Sequence, residues 1–468
     1  MNKKRILIPI VGQGSITHVI RTGMLDEISK FCTPVIALLW QQDDLVEELK
    51  SKGYEITFFP SYKMTVEYEN LRYLINLWYR SKKVKTPSVA LQKKYLNQFS
   101  KTQKSLQLRK ALRERYYHLR FKLQPSYIKN VLKNEAHIVK QESTYKLFAE
   151  WLNTLNVYGL FTVTPFLPEV DLIARQMKEM GMPILASIHS FDNITKRGWQ
   201  AITFDRYIVW NKYNKAELER IYPILQKELS IEIAGAPQFD FHYNSAYSWS
   251  REEWLKKLRL PSDKNIILYS GGPVSLLPDE PQYLKALKEA FEEGKISSNY
   301  VILFRCHPLD KVERWKNYVG LSPYIIYDYA PSGTSKLDHV NVLKEDIIKL
   351  ISTLRHTSIH INVVSTMCVD GCVFNKPQIG PYYDDLKPDK VELFRGMYMQ
   401  EHYRPILRTN TLNLAHTKEE FISLVNNTLE SPEKYISNCE SCVKEIITYT
   451  DGKSTNRVVQ TIEKFFAS

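Results

Sequence analysis

The first stretch with a clear structural pattern reads Ile6-Leu-Ile-Pro-Ile-Val-Gly-Gln-Gly-Ser15, an apolar run that ends in a glycine turn. Residues 16–28 follow with the spacing of a helix. The same order returns in the second half, where Asn265-Ile-Ile-Leu-Tyr-Ser-Gly-Gly272 precedes a helical segment at 281–293. A short apolar run that ends in glycine and opens a helix predicts a strand–turn–helix unit. Each half of the chain therefore begins with such a unit.

Strand and helix patterns alternate through both halves. Helical patterns such as 43–52 and 455–466 lie between or after short apolar runs. The other predicted strands are 35–39, 55–59, 159–164, 184–188, 207–209, 300–305, 359–364 and 377–380. This alternation favours parallel sheets. We expect an α/β fold of two doubly wound, Rossmann-like domains facing a cleft, with ligands bound at the carboxyl ends of the strands.

Length and local composition indicate where the domains divide. A chain of 468 residues suits two or three domains. The polar and aromatic stretch between residues 237 and 260 favours a linker, so we place the boundary near residue 245. We expect one domain at 1–245 and a second at 246–468, with the last helix packing back on the first domain.

Composition narrows the class of protein. Hydrophobic residues make up 44% and charged residues 25%, as in folded globular proteins. We find no run of 18 uncharged apolar residues and no signal-peptide cleavage site near the start, so we expect a cytoplasmic protein. Six cysteines are too few for a disulfide framework. The pair Cys439 and Cys442 has no second Cys or His pair near it in the sequence, so we expect no metal site.

The positive charge is concentrated in one segment. Residues 80–133 contain sixteen Lys or Arg and one acid, Glu114, whereas the whole chain has a net charge of +13. The rest of the chain therefore has a net charge of −2. Helix-forming and aromatic residues fill the segment, which predicts a helical insertion at about 80–150. Residues 80–133 could bind an anionic membrane surface, track RNA, or form a solvated helical face.

Polar residues and glycines follow two predicted strands of the second half. Ser270, Gly271 and Gly272 end one strand, and such a turn lets the backbone approach a phosphate. Arg305 ends another strand, and His307 comes two residues later, where its imidazole could bind a diphosphate. The alternatives are an ordinary tight turn and a structural histidine.

A third strand end in the second half carries Ser365 and Thr366, with Asp370 one turn later. The hydroxyls would contact phosphate while the carboxylate accepts hydrogen bonds from ribose, or the segment is a simple helix cap. His402 and Arg404 form a further cluster that could contact phosphate or serve the fold.

The first half offers two candidates for a general base. His18 lies near the first turn of the first helix, where the helix dipole keeps the imidazole neutral. Asp192 is the rival, in a polar loop after the strand at 184–188. The residues expected on the same side are Gly12, Gly14, Ser15, Asn193 and Thr195.

These motifs together resemble the GT-B glycosyltransferases. The resemblance is to bacterial surface-carbohydrate and capsule biosynthesis enzymes related to CDP-glycerol glycerophosphotransferases and polysialyltransferases. It is carried by Ser190-Phe-Asp-Asn-Ile-Thr-Lys-Arg-Gly198, Arg305-Cys-His-Pro308, Ser365-Thr366, the spacing from Asp370 to Lys376-Pro377, and Asp451-Gly-Lys-Ser-x-x-Arg457. The first half lacks the acidic pair followed by glycine that polysialyltransferases have, which argues against a sialic-acid donor.

The resemblance implies a metal-independent glycosyltransferase without a cofactor. It would move a sugar from a nucleotide-sugar donor to a lipid-linked or oligosaccharide acceptor in surface polysaccharide biosynthesis, at the inner face of the cell membrane. His307, Ser365 and Thr366 inherit the donor phosphate role, and a UDP-linked donor is favoured over a CDP- or CMP-linked one. The first domain would hold the acceptor and the second the donor.

Three other functions stay open from the sequence. A non-hydrolysing sugar-nucleotide epimerase would have the same two-domain plan but would need no basic insertion. A polyol-phosphate transferase of the glycerophosphotransferase type would keep the fold and change the transferred group. A basic RNA-binding protein would use residues 80–133 as its main surface, although we expect no nucleic-acid partner.

Overall fold

The computed structural model describes residues 3–85, 101–223, 230–274, 276–307, 310, 312–328 and 341–467. Two compact units are present. The first contains the described residues up to Pro237 together with those from Ser454 onward, and the second contains those of Gln238–Lys453. The chain passes between the units eight residues before the boundary expected from composition. Each unit contains one parallel sheet.

The first sheet has seven strands in the order β3-β2-β1-β4-β5-β6-β7, and every neighbouring pair is parallel. The chain therefore changes its winding direction between β1 and β4. The strands are β1 Lys4–Ile10, β2 Cys32–Leu38, β3 Glu55–Phe58, β4 Gly159–Thr162, β5 Ile184–Ser187, β6 Arg206–Val209 and β7 Ser230–Ile233.

The second sheet repeats this topology with six parallel strands in the order β10-β9-β8-β11-β12-β13. Its winding changes direction between β8 and β11, which is where open α/β sheets bind ligands. The strands are β8 Asn265–Ser270, β9 Tyr300–Arg305, β10 Ile325–Asp328, β11 His360–Asn362, β12 Gln378–Pro381 and β13 Leu412–Ala415.

Helices connect the strands in both units. Those of the first unit are α1 Gln13–Ser15, a π-helix Ile16–Arg21, α2 Met24–Ile28, α3 Asp43–Ser51, α4 Val66–Lys82, α5 Lys101–Leu123, α6 Pro125–Ile138, α7 Ser143–Leu155, α8 Pro168–Glu179, α9 Asn193–Lys196 and α10 Lys212–Ile221. Those of the second are α11 Arg251–Leu258, α12 Pro281–Glu292, α13 Val312–Val319, α14 Lys344–His356, α15 Met367–Val373, α16 Val391–Tyr398, α17 Arg404–Arg408, α18 Lys418–Glu430 and α19 Cys439–Ile447. Helix α20, Ser454–Ala467, belongs to the first unit.

The expected α/β architecture is confirmed, and its cause lies in the strand sequences. Five of the six residues of β8 and all four of β5 are buried. A parallel strand covered by helices on both faces needs apolar residues at nearly every position, so it reads as a continuous apolar run. That is the pattern from which these strands are predicted.

Most of the described part of the basic segment is helical. Helices α4, α5 and α6 pack through a small apolar cluster of Leu74, Ile75, Phe121, Ile128 and Val131; residues 86–100 of the predicted insertion lie outside the described part. Buried ion pairs then join these helices to α8, which flanks the first sheet. Glu135 of α6 pairs with Arg175 at 2.6 Å, and Arg175 also pairs with Asp171 at 2.9 Å. The insertion is therefore fixed to the sheet domain.

Helix α20 packs against the amino ends of β1 and β4. Lys4 Nζ donates to the carbonyl oxygen of Phe466 at 2.8 Å. A Cβ atom at Gly159 would lie 2.7 Å from both Phe466 Cε1 and the carbonyl oxygen of Pro183. Because real Cβ atoms do not approach this closely, β4 needs glycine here. None of the helices in the described ranges has the length and apolarity needed to cross a bilayer.

Gly159→Ala should destabilise the first unit. The backbone oxygen of Pro183 cannot move aside, so we expect a loss of about 1–3 kcal/mol, typical of overpacking. Thermal unfolding of Gly159→Ala, alone and combined with Phe466→Ala, measures this. The double variant should lose less than the sum of the single losses, because the two positions share one space. Strict additivity would show that α20 does not pack here.

Candidate active site

The carboxyl ends of β8, β9 and β11 lie side by side in the second unit. Ser270 pairs in register with Arg305 of β9 and with Asn362 of β11. The amide of Gly271 donates to the carbonyl oxygen of Arg305 at 3.0 Å. The structure therefore places three predicted segments at one sheet edge: Ser270–Gly272, Arg305–His307 and Ser365–Thr366.

His307 lies partly buried just beyond β9. Burial lowers the pKa of its imidazole below the ordinary 6.5; Asp310 opposes this effect, and the nearby guanidinium groups of Arg305 and Arg314 add to it. The imidazole is therefore neutral at pH 7. An arriving diphosphate would favour the protonated form, which makes His307 a group that can gain a proton on binding.

Arg305 belongs to a small cluster with excess positive charge. Its guanidinium lies 3.5 Å from the carboxylate of Asp328, which also pairs with Lys349 of α14. Two cations therefore share one buried carboxylate. The cluster keeps a net positive charge at the ends of β9 and β10, next to the segment that carries His307.

The two glycines after β8 have their amides engaged within the protein. The amide of Gly272 donates to Glu280 Oε2 at 2.8 Å, and Arg314 donates to the carbonyl oxygens of Gly272 and Pro278 at 3.3 Å. A Cβ at Gly271 would lie 3.1 Å from the rings of Phe304 and Trp315. A Cβ at Gly272 would lie 3.2 Å from Glu280 Oε2 and Leu277 Cδ1, so close packing favours glycine at both positions, and both amides bond within the protein.

Ser365 and Thr366 follow a strained residue. Val364 has φ of 48°, which is a rare conformation for a β-branched side chain and is stored strain of the kind found at ligand sites. Ser365 Oγ accepts from the amide of Met367 at 3.2 Å, and Thr366 is exposed. Tyr403 Oη donates to the carbonyl oxygen of Ser365 at 3.2 Å. This contact joins Tyr403 to the same turn. The predicted cluster residues His402 and Arg404 are the sequence neighbours of Tyr403.

Asp370 has a partner that the sequence did not indicate. Its Oδ1 lies 3.0 Å from His242 Nε2, and the imidazole of His242 stacks between the rings of Phe239 and Phe374. One carboxylate oxygen is therefore engaged by the segment that leads into the second unit. The carboxylate keeps acceptor capacity for the expected ribose contact.

The glycine turn of the first unit is closed by Ser15. Its hydroxyl donates to the carbonyl oxygen of Gly12 at 2.7 Å and accepts from the amides of Val11 at 2.9 Å and Gly12 at 3.1 Å. His18 lies in the π-helix after this turn and is only 1% exposed. The expected presentation of its imidazole to a substrate would require His18 to become exposed, because the side chain is buried in this structure.

Asp192 organises its own loop. Its carboxylate accepts from Ser190 Oγ at 2.6 Å and from Asn193 Nδ2 at 3.0 Å, and it pairs with Lys196 at 3.0 Å. Asp192, Asn193 and Thr195 are all buried. These three residues shape the loop after β5.

His189 is the residue that the sequence analysis missed. It lies two residues after the end of β5, and a Cβ at Gly14 would lie 2.9 Å from its Cδ2. Nδ1 lies 3.0 Å from the carbonyl oxygen of Val163, so Nδ1 carries the proton and Nε2 is the basic nitrogen. Burial lowers the pKa of His189, while Val163 and Asp192 oppose this effect. The rule used for His307, that ligand-binding residues lie just after the carboxyl ends of strands, would also have indicated His189.

The cysteines are brought closer together than their spacing in the sequence suggests. Helix α19 with Cys439 and Cys442 packs on α15 with Cys368 and Cys372, and all six cysteines are buried and free. Thr411 Oγ1 lies between two of them, 3.3 Å from Cys372 Sγ and 3.7 Å from Cys439 Sγ. Within the described residues, no group of three or more His, Cys, Asp or Glu side chains is arranged to hold a metal ion.

Comparison with known families now identifies the chain. Residues 98–464 match the family described as CDP-Glycerol:Poly(glycerophosphate) glycerophosphotransferase. The chain belongs to this family. The match confirms the resemblance inferred from the motifs at the strand ends, and it makes the protein a transferase of glycosyltransferase type in surface-polymer biosynthesis.

Solved structures confirm the GT-B fold. A glycosyltransferase from Rickettsia africae aligns with a TM-score of 0.53 at 13% identity, over 100% of this chain and 99% of that one. The UDP-GlcNAc 2-epimerase from Neisseria meningitidis, bound to UDP-GlcNAc, aligns with a TM-score of 0.54 at 9% identity, over 98% and 100%. The S. aureus MnaA–UDP structure gives 0.54 at 12% identity, over 99% and 97%. No curated protein matches the sequence.

Glu280 offers a test of the loop after β8. Burial raises its pKa from 4.5 to about 8, against the opposing effect of Arg314. The unfolded chain loses this proton near pH 4.5, so between that pH and about 8 the folded protein holds one more proton. The free energy of unfolding should therefore fall as pH rises through this window, and Glu280→Gln should flatten the slope.

Glu280→Ala is the harsher variant, because it leaves the amide of Gly272 without its acceptor at a cost of about 1–3 kcal/mol. Thermal unfolding of wild type and both variants at pH 6 and pH 8.5 separates the two effects. An unchanged pH slope in Glu280→Gln would show that the carboxyl group is ionised throughout this range.

Proposed function

We propose that the protein transfers a group from a nucleoside-diphosphate-linked donor, bound at the carboxyl edge of the second sheet, to a hydroxyl of a lipid-linked or oligosaccharide acceptor held by the first unit. The observation that supports this most is the convergence of Arg305, His307 and the Ser365–Thr366 turn at the point where the winding of the second sheet changes direction. Arg305, with Lys349, would offset the charge of the diphosphate, and His307 would donate to it.

Two reactions are chemically possible for such a transferase, and they differ in the donor and in the leaving group. Attack of the acceptor hydroxyl on an anomeric carbon releases a nucleoside diphosphate and forms a glycosidic bond. Attack on the distal phosphorus of a CDP-linked polyol releases CMP and forms a phosphodiester. Membership of the glycerophosphotransferase family favours the CDP-linked form, whereas the structural neighbours solved with UDP or UDP-GlcNAc favour the UDP-linked form expected from the sequence.

A thermal-shift screen tests the donor site. The protein is heated with CDP, UDP, CMP, GDP and ADP in buffer without divalent metal, and His307→Ala and His416→Ala are treated alike. One nucleotide at about 100 times its dissociation constant should stabilise the wild type by about 2.7 kcal/mol, and His307→Ala should lose most of this. His416→Ala, at the end of β13, is the matched control and should respond as the wild type does. A nucleotide response in His307→Ala that stays well above the response to sodium phosphate at the same concentration would contradict the donor site.

Deprotonation of the acceptor hydroxyl is assigned to His189. Its Nδ1 is fixed by Val163, its pKa is lowered so that the ring is neutral at pH 7, and it lies over Gly14 at the carboxyl edge of the first sheet. Asp192 then acts as a positioning residue that holds the loop next to His189. Such a group can take the proton as the bond forms.

His189→Gln should lower the rate of nucleotide release by about 10²–10⁴-fold, the usual contribution of general-base catalysis. The assay uses the donor found in the screen and membrane vesicles as the source of acceptor, and the thermal shift with nucleotide should be unchanged. His18→Gln serves as comparison, and we expect it to lower the melting temperature because it alters a core position. A normal rate in His189→Gln would show that His189 is not the general base, and Asp192 or His18 would then be the candidates.

Membrane association is proposed for helix α5. Five apolar side chains spaced three or four residues apart are each more than half exposed: Leu108, Leu112, Tyr116, Leu119 and Leu123. Such spacing places them on one face. On a helical wheel, Arg115 and Lys122 flank this stripe on one side and Arg109 and Arg120 on the other. An apolar stripe between two basic rows is the pattern of a helix that lies in the surface of an anionic bilayer.

The opposite face of α5 packs on the protein, where Phe121 is buried and Tyr117 stacks on Tyr127. The stripe is therefore held outward by a fixed helix. We infer a protein bound at the inner face of the cell membrane, where a lipid-linked acceptor would be within reach. Each basic residue near an anionic surface contributes about 1 kcal/mol.

The double variant Leu112→Asp/Leu119→Asp should abolish co-sedimentation with phosphatidylglycerol vesicles. Leu321→Asp changes an exposed leucine of the second unit and is the matched control, which should bind as the wild type does. Phosphatidylcholine vesicles should bind all three proteins weakly. Equal binding of the double variant, or a preference of the wild type for RNA over vesicles, would contradict this role of α5.

A further inference from the structure

A group of basic side chains lies at the opposite edge of the second sheet from the donor site. Arg251 is the first residue of α11, Arg355 lies near the end of α14, and Lys376 precedes β12. Lys264 and Ser358, which lead into β8 and β11, mark the same edge. These positions are at the amino ends of the strands whose carboxyl ends carry Ser270 and Ser365.

The contacts of these cations leave their charge uncompensated. Arg251 donates to the carbonyl oxygens of His356 at 3.0 Å and Lys264 at 3.3 Å. Arg355 donates to the carbonyl oxygen of His242 at 3.4 Å, and its guanidinium lies 4.7 Å from the ring centre of Phe374. Its Nε is buried and makes no hydrogen bond among the described residues. In the described part of the chain, no carboxylate pairs with Arg251, Arg355 or Lys376.

The pKa values of neighbouring titratable groups are lowered by this positive charge. Burial lowers the pKa of Lys376, and Arg251 and Arg355 lower it further. Burial also lowers the pKa of His356; the carbonyl of Trp249 opposes this, and the three cations add to the lowering. The pKa of His360 falls to about 3, through burial and then Lys376. The charged neighbours that shift the pKa values of Lys376, His356 and His360 are all cations.

The ends of two helices offset part of this charge. Helices α14 and α15 both end at this edge, and a helix carboxyl end carries about half a negative charge. The carbonyl of His356 at the end of α14 is already bonded to Arg251. Three full positive charges against two partial negative ones leave an excess of about two, in a partly buried setting where desolvation makes an empty cation cluster costly.

We propose that Arg251, Arg355 and Lys376 form a binding site for a phosphate-bearing anion, separate from the donor site. The two guanidinium groups supply planar pairs of donors that suit phosphate oxygens, and the ammonium group supplies a point charge. The anion neutralises the cluster between α11, α14 and the segment before β12. It also lies next to His242, which connects Arg355 to Asp370 of α15.

The test measures thermal unfolding against sodium phosphate at constant ionic strength set with sodium chloride. It is run in the His307→Ala background, so that the donor site does not contribute and the result stands whether or not the proposed function is correct. Phosphate should raise the melting temperature, and glycerol 1-phosphate is titrated in parallel. An equal response assigns the site to phosphate itself, and a response at lower concentration assigns it to a phosphomonoester.

Lys376→Met and Arg355→Gln should each weaken the response by about tenfold or more, since each loses a charge-assisted contact. Lys256→Met, an exposed lysine of α11, should respond as the parent does. Lys376→Met should also melt higher than the parent without phosphate, because it removes like-charge repulsion. If Lys376 only stabilises the helix ends, that variant melts lower and keeps the full phosphate response, which overturns the proposal.

Discussion

Strand β8 lies between β9 and β11, and its parallel register with both is the constraint on which the candidate active site depends. Because Ser270 aligns with Arg305 and with Asn362, the segments after three strands open at one edge. These segments are separated by tens of residues in the chain. A one-residue slip would turn every side chain of β8 to the other face and would separate Arg305 from the turn that it bonds.

Buried polar and charged side chains then hold in place the segments that the sheets position. Arg314 holds the loop after β8 through carbonyl oxygens of that loop, and Glu280 accepts the amide of Gly272 from within it. In the first unit, Arg175 joins α6 of the basic insertion to α8 through Glu135 and Asp171. Removing one member of such a network leaves a charge buried without its partner, which is costly. The basic insertion that contains α5 is thus carried on a rigid support.

Strands such as β8 and β9 were predictable because parallel strands buried on both faces read as apolar runs. Strands β7, β10 and β13 were not predicted, and the inner residues of β10 and β13 are only partly buried. The placement of Arg305 and His307 followed from the rule that ligands bind at strand ends. Other features depend on tertiary structure. The π-helix that buries His18, the carbonyl of Val163 that orients His189, and the packing of Cys372 beside Cys439 have no local signature. The motif pattern favoured Asp192 over the histidine three residues earlier, although Ser190, Asn193 and Lys196 of the same loop contact the Asp192 carboxylate.

Hydrogen–deuterium exchange with and without CDP or UDP tests the central claim, that the nucleotide binds where β8, β9 and β11 end. The account predicts slower exchange in peptides that contain Gly271, His307 and Thr366 when the nucleotide that stabilises the protein is added. Peptides from α20, which packs at the amino ends of β1 and β4 in the first unit, should exchange as before. Protection confined to the basic helices, or spread over the first unit alone, would contradict the proposed donor site.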